Sequence, residues 1–154
     1  MKIEIHNMEF SAAHFLIEHD KCSRMHGHNW RLSVVGEGEI DKNGFVMDFS
    51  EFKMVVRGVV VKYDRRILIP TENEQIKIKE IDSELELSVG DKSYVFPKRD
   101  CLLLPLSNVT CEELAVLFWN EIRNKLGRVF ESMEVLIEEK KGQGARYKKM
   151  VRGI

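Results

Sequence analysis

At 154 residues the chain is long enough for one domain with a sizeable core, and its net charge of -1 argues against general nucleic-acid binding. No apolar run is long enough to span a bilayer, and the N-terminal MKIEIHNMEF has no apolar signal core. Three cysteines, Cys22, Cys101 and Cys111, are widely spaced and odd in number; they form no CxxC pair and fit a reducing, cytoplasmic setting.

Residues 2–15 read as a strand. Ile3 and Ile5 alternate with polar residues, then Met8, Phe10 and Ala12 continue on the other parity, which points to a bulge. A polar loop over 16–25 leads to a second strand from His26 to about Ile40, with Trp30, Leu32 and Val34 on one parity. DKNG at 41–44 is a turn signal, so FVMDF is expected to return to the sheet. A helix starts near Asp48, where Asp48 and Glu51 have capping-box spacing and Phe52, Val55, Val56 and Val59 follow the helical period. It should end before YDRRILIP.

Residues 71–100 alternate strictly in QIKIKEI, ELELSVG and DKSYVF, which predicts a small antiparallel excursion of two or three strands, a β insertion within a single domain spanning 1–154. The second helix is the clearest element. Thr110 and Glu113 form a T-x-x-E capping box, Ala115, Phe118, Trp119, Ile122 and Leu126 make one apolar stripe, and Gly127 supplies the stop. Residues 129–139 read as a final strand and a basic tail ends the chain. The order predicts an α+β fold, an antiparallel sheet with helices on one face.

Two histidines two apart on a strand project from the same face, so His26 and His28 can reach one ion. His14 ends the preceding strand, which can lie alongside. Three imidazoles from neighbouring strands leave a fourth position open, the coordination of catalytic zinc; the competing reading is a solvated HxH pair. Cys22, next to Lys21 and near Arg24, is either a fourth ligand, a proton-abstracting base, or a quiet buried thiol like Cys101 and Cys111.

FSAAHFL, HDKCSRMHGHNWRL, MDFSEFK, YDRRIL, TCEELAVLFW and EVLIEEKKGQGARY, in that order, resemble the 6-pyruvoyl-/6-carboxy-tetrahydropterin synthase family over most of the chain outside 71–100. The resemblance implies the tunnelling fold (T-fold): a four-stranded antiparallel sheet with two helices on one face. It also implies subunits joined edge to edge into barrels, a trimer stacked on a trimer, with active sites between subunits. His14, His26 and His28 match the family's zinc ligands, and Cys22 its catalytic cysteine. The three-residue gap from Cys22 to HGH is that of the bacterial and archaeal 6-carboxy branch. Glu139 matches the pterin-anchoring glutamate, with Glu138 pointing to the opposite face, and Thr110 and Glu112 match the family's T-x-E. Without a ligand, Thr110 and Glu112 also read simply as a helix cap and a first-turn acid.

These roles imply a zinc-dependent lyase acting on the side chain of 7,8-dihydroneopterin triphosphate. A carboxylate can accept the paired N–H groups of a pterin as it does those of a guanidinium. Lys140, Lys141, Arg146 and Lys148 are candidates to meet the triphosphate, against a solvated basic face. One position departs from the pattern. The family's relay pairs Asp with His; here Asp64 is followed by Arg65, which cannot shuttle protons at neutral pH. His6 or His19 can substitute only if folding or a neighbouring subunit brings it in. The departure leaves open a divergent zinc-containing pterin- or nucleotide-binding protein without catalysis.

Overall fold

A computed structural model of the chain describes residues 1–151. Strands β1 (Lys2–His14) and β2 (His26–Glu37) pair antiparallel from Lys2 opposite Glu37 to His14 opposite His26. The parity change in β1 is a bulge: the register slips between Ile5 and Met8, and Asn7 takes φ 57°. The extra residue keeps Ile5 and Met8 on one face, opposite Val34 and Leu32.

Helix α1 (Phe49–Val60) starts where its cap predicts, because the Asp48 carboxylate accepts the Ser50 and Glu51 N–H groups. It is followed by β3 (Arg66–Pro70), β4 (Ile76–Ile81), β5 (Glu84–Val89), β6 (Lys92–Pro97) and β7 (Cys101–Leu104). Helix α2 (Cys111–Leu126), β8 (Ser132–Lys140) and β9 (Gln143–Met150) complete the fold. No helix of the described residues is long and apolar enough to cross a membrane.

The main sheet has six strands in the order β7-β3-β1-β2-β8-β9. The expected four-stranded antiparallel sheet is its β1-β2-β8-β9 part, widened by β3 parallel to β1 and β7 parallel to β3. The α1 crossover returns the chain alongside β1 in its own direction, and the excursion returns it again beside β3. RILIP is too short and too uniformly apolar to declare that pairing. The basic tail is β9: Ala145 and Tyr147 face the core and the intervening basic residues face away, while residues 152–154 lie outside the described part.

Two boundaries also differ from expectation. FVMDF does not return to the sheet. Asp41 closes the turn locally by accepting the Asn43 and Phe45 N–H groups at 2.8 and 2.9 Å, and Val46 and Met47 pack onto the core from a loop. The last core strand starts at Ser132 rather than 129, because Phe130 is spent filling the space over Gly36 and against Phe52, with ring centroids 5.1 Å apart.

Met8, Phe10 and Ala12 of β1, Trp30, Leu32 and Val34 of β2, and Met133, Val135 and Ile137 of β8 form one buried face. Phe52 and Val56 of α1 and Phe118 and Ile122 of α2 pack on it, so both helices cover the same side. Phe118 is fully buried between Phe10 and Tyr63, and truncating it to alanine is expected to cost about 3–5 kcal/mol. The excursion has three strands, order β4-β5-β6, and its own core: Leu85, Leu87 and Ile76 bury Phe15, Ile17 and Ile69.

Candidate metal centre and adjoining cleft

Strand pairing assembles the three histidines. His14 lies opposite His26, and His28 lies opposite Ala12, two residues further along the same edge of the pair. One ligand nitrogen from each ring lies within 4.8 Å of the others. Trp30 closes the floor, edge-on to His14 and His28 at 4.9 and 5.3 Å, with its Nε1–H donated to the Ala12 carbonyl at 3.2 Å.

The opposite ring nitrogens are tied down. His14 Nδ1–H donates to the Val109 carbonyl at 2.8 Å and His26 Nδ1–H to the Arg24 carbonyl at 2.6 Å, which leaves each Nε2 lone pair free. Nε2 of His14 and of His28 are buried and have no hydrogen-bond partner, a state that is costly unless something accepts the lone pair. Burial, with smaller contributions from His26 and His28, holds His14 down to about 4 against the raising effect of its Val109 bond. Burial also lowers His28, against the pull of Glu139. Three converging imidazoles, two of them held by carbonyls and two with orphaned Nε2 atoms, fit a divalent transition metal.

A cleft of about 300 Å³ opens beside this group, lined by His14, Thr110, Cys111, Glu112, Glu139 and Gly144 among others. Glu139 sits at a register slip between β8 and β9, which aims its carboxylate to within 3.7 Å of His28 Nε2. Glu138 is used elsewhere, accepting the Gly142 N–H in the β8–β9 turn at 2.8 Å. Gly144 is required there, since a Cβ would lie 2.1 Å from the Ile137 carbonyl oxygen. At the start of α2, Thr110 Oγ1 accepts the Glu113 N–H at 3.2 Å, and Glu113 reaches back to the Ser107 and Asn108 N–H groups. Glu113 therefore does the capping, and Glu112 lines the cleft.

Cys22 is half-buried in the loop between β1 and β2. Its carbonyl accepts the Leu16 N–H at 2.8 Å and its own N–H donates to His19 Nδ1 at 3.3 Å. Its sulfur is not in the convergent ligand group, which among the described residues is the three histidines alone. Asp64 and Arg65 lie at the β1–β3 edge, where Asp64 Oδ1 accepts the Ser11 N–H at 2.9 Å and the Arg65 N–H donates to the Ser11 carbonyl at 2.6 Å. The Arg65 side chain is 88% exposed, on a backbone with φ 60°, at the rim of a cleft of about 500 Å³ shared with His28, Asn29 and Arg66. Folding brings His19 to the Cys22 backbone; His6 pairs instead with Glu4 at 2.6 Å. Of the basic candidates, Arg146 is committed to Glu134 and Lys148 lies 3.7 Å from Glu37.

The sequence model of the 6-pyruvoyl tetrahydropterin synthase family matches residues 3–150. The chain belongs to this family. A Methanocaldococcus jannaschii relative, provisionally named as a 6-carboxy-5,6,7,8-tetrahydropterin synthase, is 34% identical over 147 residues, covering 92% of this chain and 90% of its own. A Pyrococcus furiosus dihydroneopterin monophosphate aldolase is 47% identical over 64 residues, 42% of this chain and 54% of its own. The crystal structure of 6-pyruvoyl tetrahydropterin synthase from Plasmodium vivax superposes with a TM-score of 0.91 at 27% identity, covering 97% of this chain and 98% of that one. Six-stranded and three-stranded sheets with two helices are therefore this family member's version of the tunnelling fold.

Sequence reasoning missed the supports of the site. The parity of β2 marks Trp30 as a core residue, and its place two residues after His28 on the same parity also puts it under the imidazoles. The Val109 carbonyl carries no sequence signal beyond standing before the Thr110 cap. Cys111 borders the cleft, and burial pushes its thiol up to about 11, so it remains protonated.

Proposed function

We propose that this chain is a zinc-dependent lyase that cleaves the side chain of 7,8-dihydroneopterin triphosphate with uptake of water, releasing triphosphate and acetaldehyde and leaving 6-carboxytetrahydropterin. The observation that carries the reading is the convergence of three imidazoles, two with buried unpartnered Nε2 atoms, beside the Glu139 carboxylate. His14, His26 and His28 are the zinc ligands. When bound there, zinc supplies Lewis acidity toward the side-chain oxygens of the substrate. Glu139 anchors the pterin by accepting its 2-amino and ring N–H groups, and Thr110 and Glu112 border the same end of the cleft. Cys22, as thiolate, takes a proton from the side chain. Asp64, with one oxygen accepting the Ser11 N–H, stands at the β1–β3 edge as the remaining member of the family's Asp–His relay, and Arg65 stands in place of the usual histidine.

The Pyrococcus furiosus relative supports a second reading, an aldol-type cleavage of a dihydroneopterin phosphate. Under it Arg65 holds a phosphate or a developing oxyanion as a fixed positive charge instead of relaying a proton. The active form is a homohexamer, a dimer of trimers. The edge strands β7 and β9 present unpaired backbone groups that a neighbouring copy can cover. The excursion at 71–100 is an insertion in a single domain, and the free thiols suit a cytoplasmic protein.

The test is turnover of dihydroneopterin triphosphate, and of the monophosphate, by the zinc-loaded protein, with separate detection of acetaldehyde and of the pterin product. Cys22→Ala is expected to lower kcat at least 100-fold with zinc content unchanged, in the range a general base supplies. Release of acetaldehyde with 6-carboxytetrahydropterin supports the first reading, and a two-carbon aldehyde phosphate supports the second. Pterin binding without turnover of either substrate identifies a non-catalytic binder.

A further inference from the structure

The loop that carries Cys22 has almost no regular structure of its own, yet its backbone is pinned at several points. Leu16 N–H and His19 Nδ1 hold the carbonyl and N–H of Cys22 itself. The Asn108 side chain clasps Ile17 from both sides, its Oδ1 accepting the Ile17 N–H at 3.1 Å and its Nδ2 donating to the Ile17 carbonyl at 3.2 Å. The remaining tethers come from the excursion. Lys92 Nζ, on β6, donates to the Ser23 carbonyl at 2.9 Å and lies 3.1 Å from Ser23 Oγ. Gln75 Nε2 donates to Glu18 Oε1 at 2.6 Å. Tyr94 stacks on Phe15 with centroids 5.8 Å apart, and Ile17 is buried in the core of the three-stranded sheet.

Lys92 is therefore bonded to the carbonyl of the residue that immediately follows Cys22, 69 positions away in sequence. A lysine that ends on a main-chain carbonyl forms a charge-assisted bond and gives up much of its rotamer freedom. That bond fixes the half-buried Ser23 relative to β6. The excursion is connected in sequence to the ends of β3 and β7, and its buried face packs on Ile67 and Ile69 of β3, on Cys101 of β7, and on Phe15, Ile17 and Met25, which flank Cys22.

We propose that the β4–β6 sheet is a clamp that sets the position of the Cys22 thiol, with Lys92 as its positioning residue acting through Ser23. The catalytic part of this claim rests on the reading of Cys22 as the base; the positional part does not. Lys92 touches no reacting atom. Its loss releases the segment without removing a ligand or a cleft residue.

The experiment compares wild type, Lys92→Met and Lys92→Arg, all zinc-loaded, by two readouts. The first is the rate of Cys22 alkylation by iodoacetamide at fixed pH, resolved from Cys101 and Cys111 by peptide mass spectrometry. Lys92→Met is expected to raise it about five-fold, while Lys92→Arg, which can still donate twice, stays within two-fold of wild type. The second is steady-state turnover: Lys92→Met lowers kcat about ten-fold with KM and zinc content unchanged, and Lys92→Arg restores at least half. Identical alkylation rates in wild type and Lys92→Met overturn the clamp. Faster alkylation with an unchanged kcat overturns the catalytic part, and if Cys22→Ala is also fully active the fault lies in the reading of Cys22. Should Lys92→Met fail to fold, Ser23→Ala removes the Lys92 contact to the hydroxyl together with the hydroxyl's own bond to the Asp20 carbonyl, and an alkylation rate no higher than wild type would then count against the proposal.

Discussion

The histidine centre and the Asp64–Arg65 corner both meet β1, one at His14 and the other three residues away at Ser11, and they are built in opposite ways. At the centre, Nδ1 of His14 and of His26 are held by the Val109 and Arg24 carbonyls, a tryptophan forms the floor, and burial keeps His14 neutral. At the corner, one oxygen of Asp64 is occupied by the Ser11 N–H, its other oxygen faces Arg65 only at 3.8 Å, and the guanidinium projects into solvent. One region is organised before anything binds. The other has its backbone fixed and its side-chain chemistry open. The three-histidine group is thus complete within this chain, while the Asp64–Arg65 corner leaves its side chains uncommitted.

Removing one ligand breaks the organised half outright. His26→Ala is expected to reduce bound zinc to below a tenth of wild type and to reduce turnover at least 1000-fold, because two imidazoles and water hold the ion poorly. Unchanged zinc by elemental analysis would remove the basis of the centre. Glu139→Gln comes next. It keeps the shape but replaces an acceptor pair by one acceptor and one donor, so pterin affinity should fall about 10- to 100-fold, read by fluorescence titration. An unaltered affinity would mean that the cleft at Glu139 does not hold the pterin.

Acid tests the centre without mutation. His14 titrates near 4 folded and near 6.5 unfolded, so the unfolded chain binds more protons between these values. The metal-free protein should lose stability as pH falls from about 6.5 to 4, by about 3 kcal/mol from this group, and show no such dependence on His14 above 6.5. Chemical denaturation across that window checks it, and a flat profile would show that His14 is not held neutral by burial.

The smallest effect belongs to the open corner. Arg65→His should raise formation of 6-carboxytetrahydropterin several-fold from a low baseline, measured by chromatography of the product with zinc content checked. A wild type that already turns over briskly and loses activity on this change would show that Arg65 is functional, and would close the contrast between the two regions.

The sequence by itself determined the elements whose pattern is local. The parity shift at Ile5–Met8 announced the bulge, Asp48 and Thr110 announced both helix starts, and HGH on a strand announced a shared face. Each depends on the period of one segment or on a side chain bonding its neighbours, which are properties a linear string contains. Only the tertiary structure decided what depends on distant pairing. It widened the sheet with two parallel strands and turned the basic tail into β9 through the packing of Ala145 and Tyr147. It also set the Val109 carbonyl behind His14 and joined Lys92 to Ser23. A backbone carbonyl has no residue signature and a surface lysine fits any exposed strand, so these contacts exist only once long-range packing has brought their segments together.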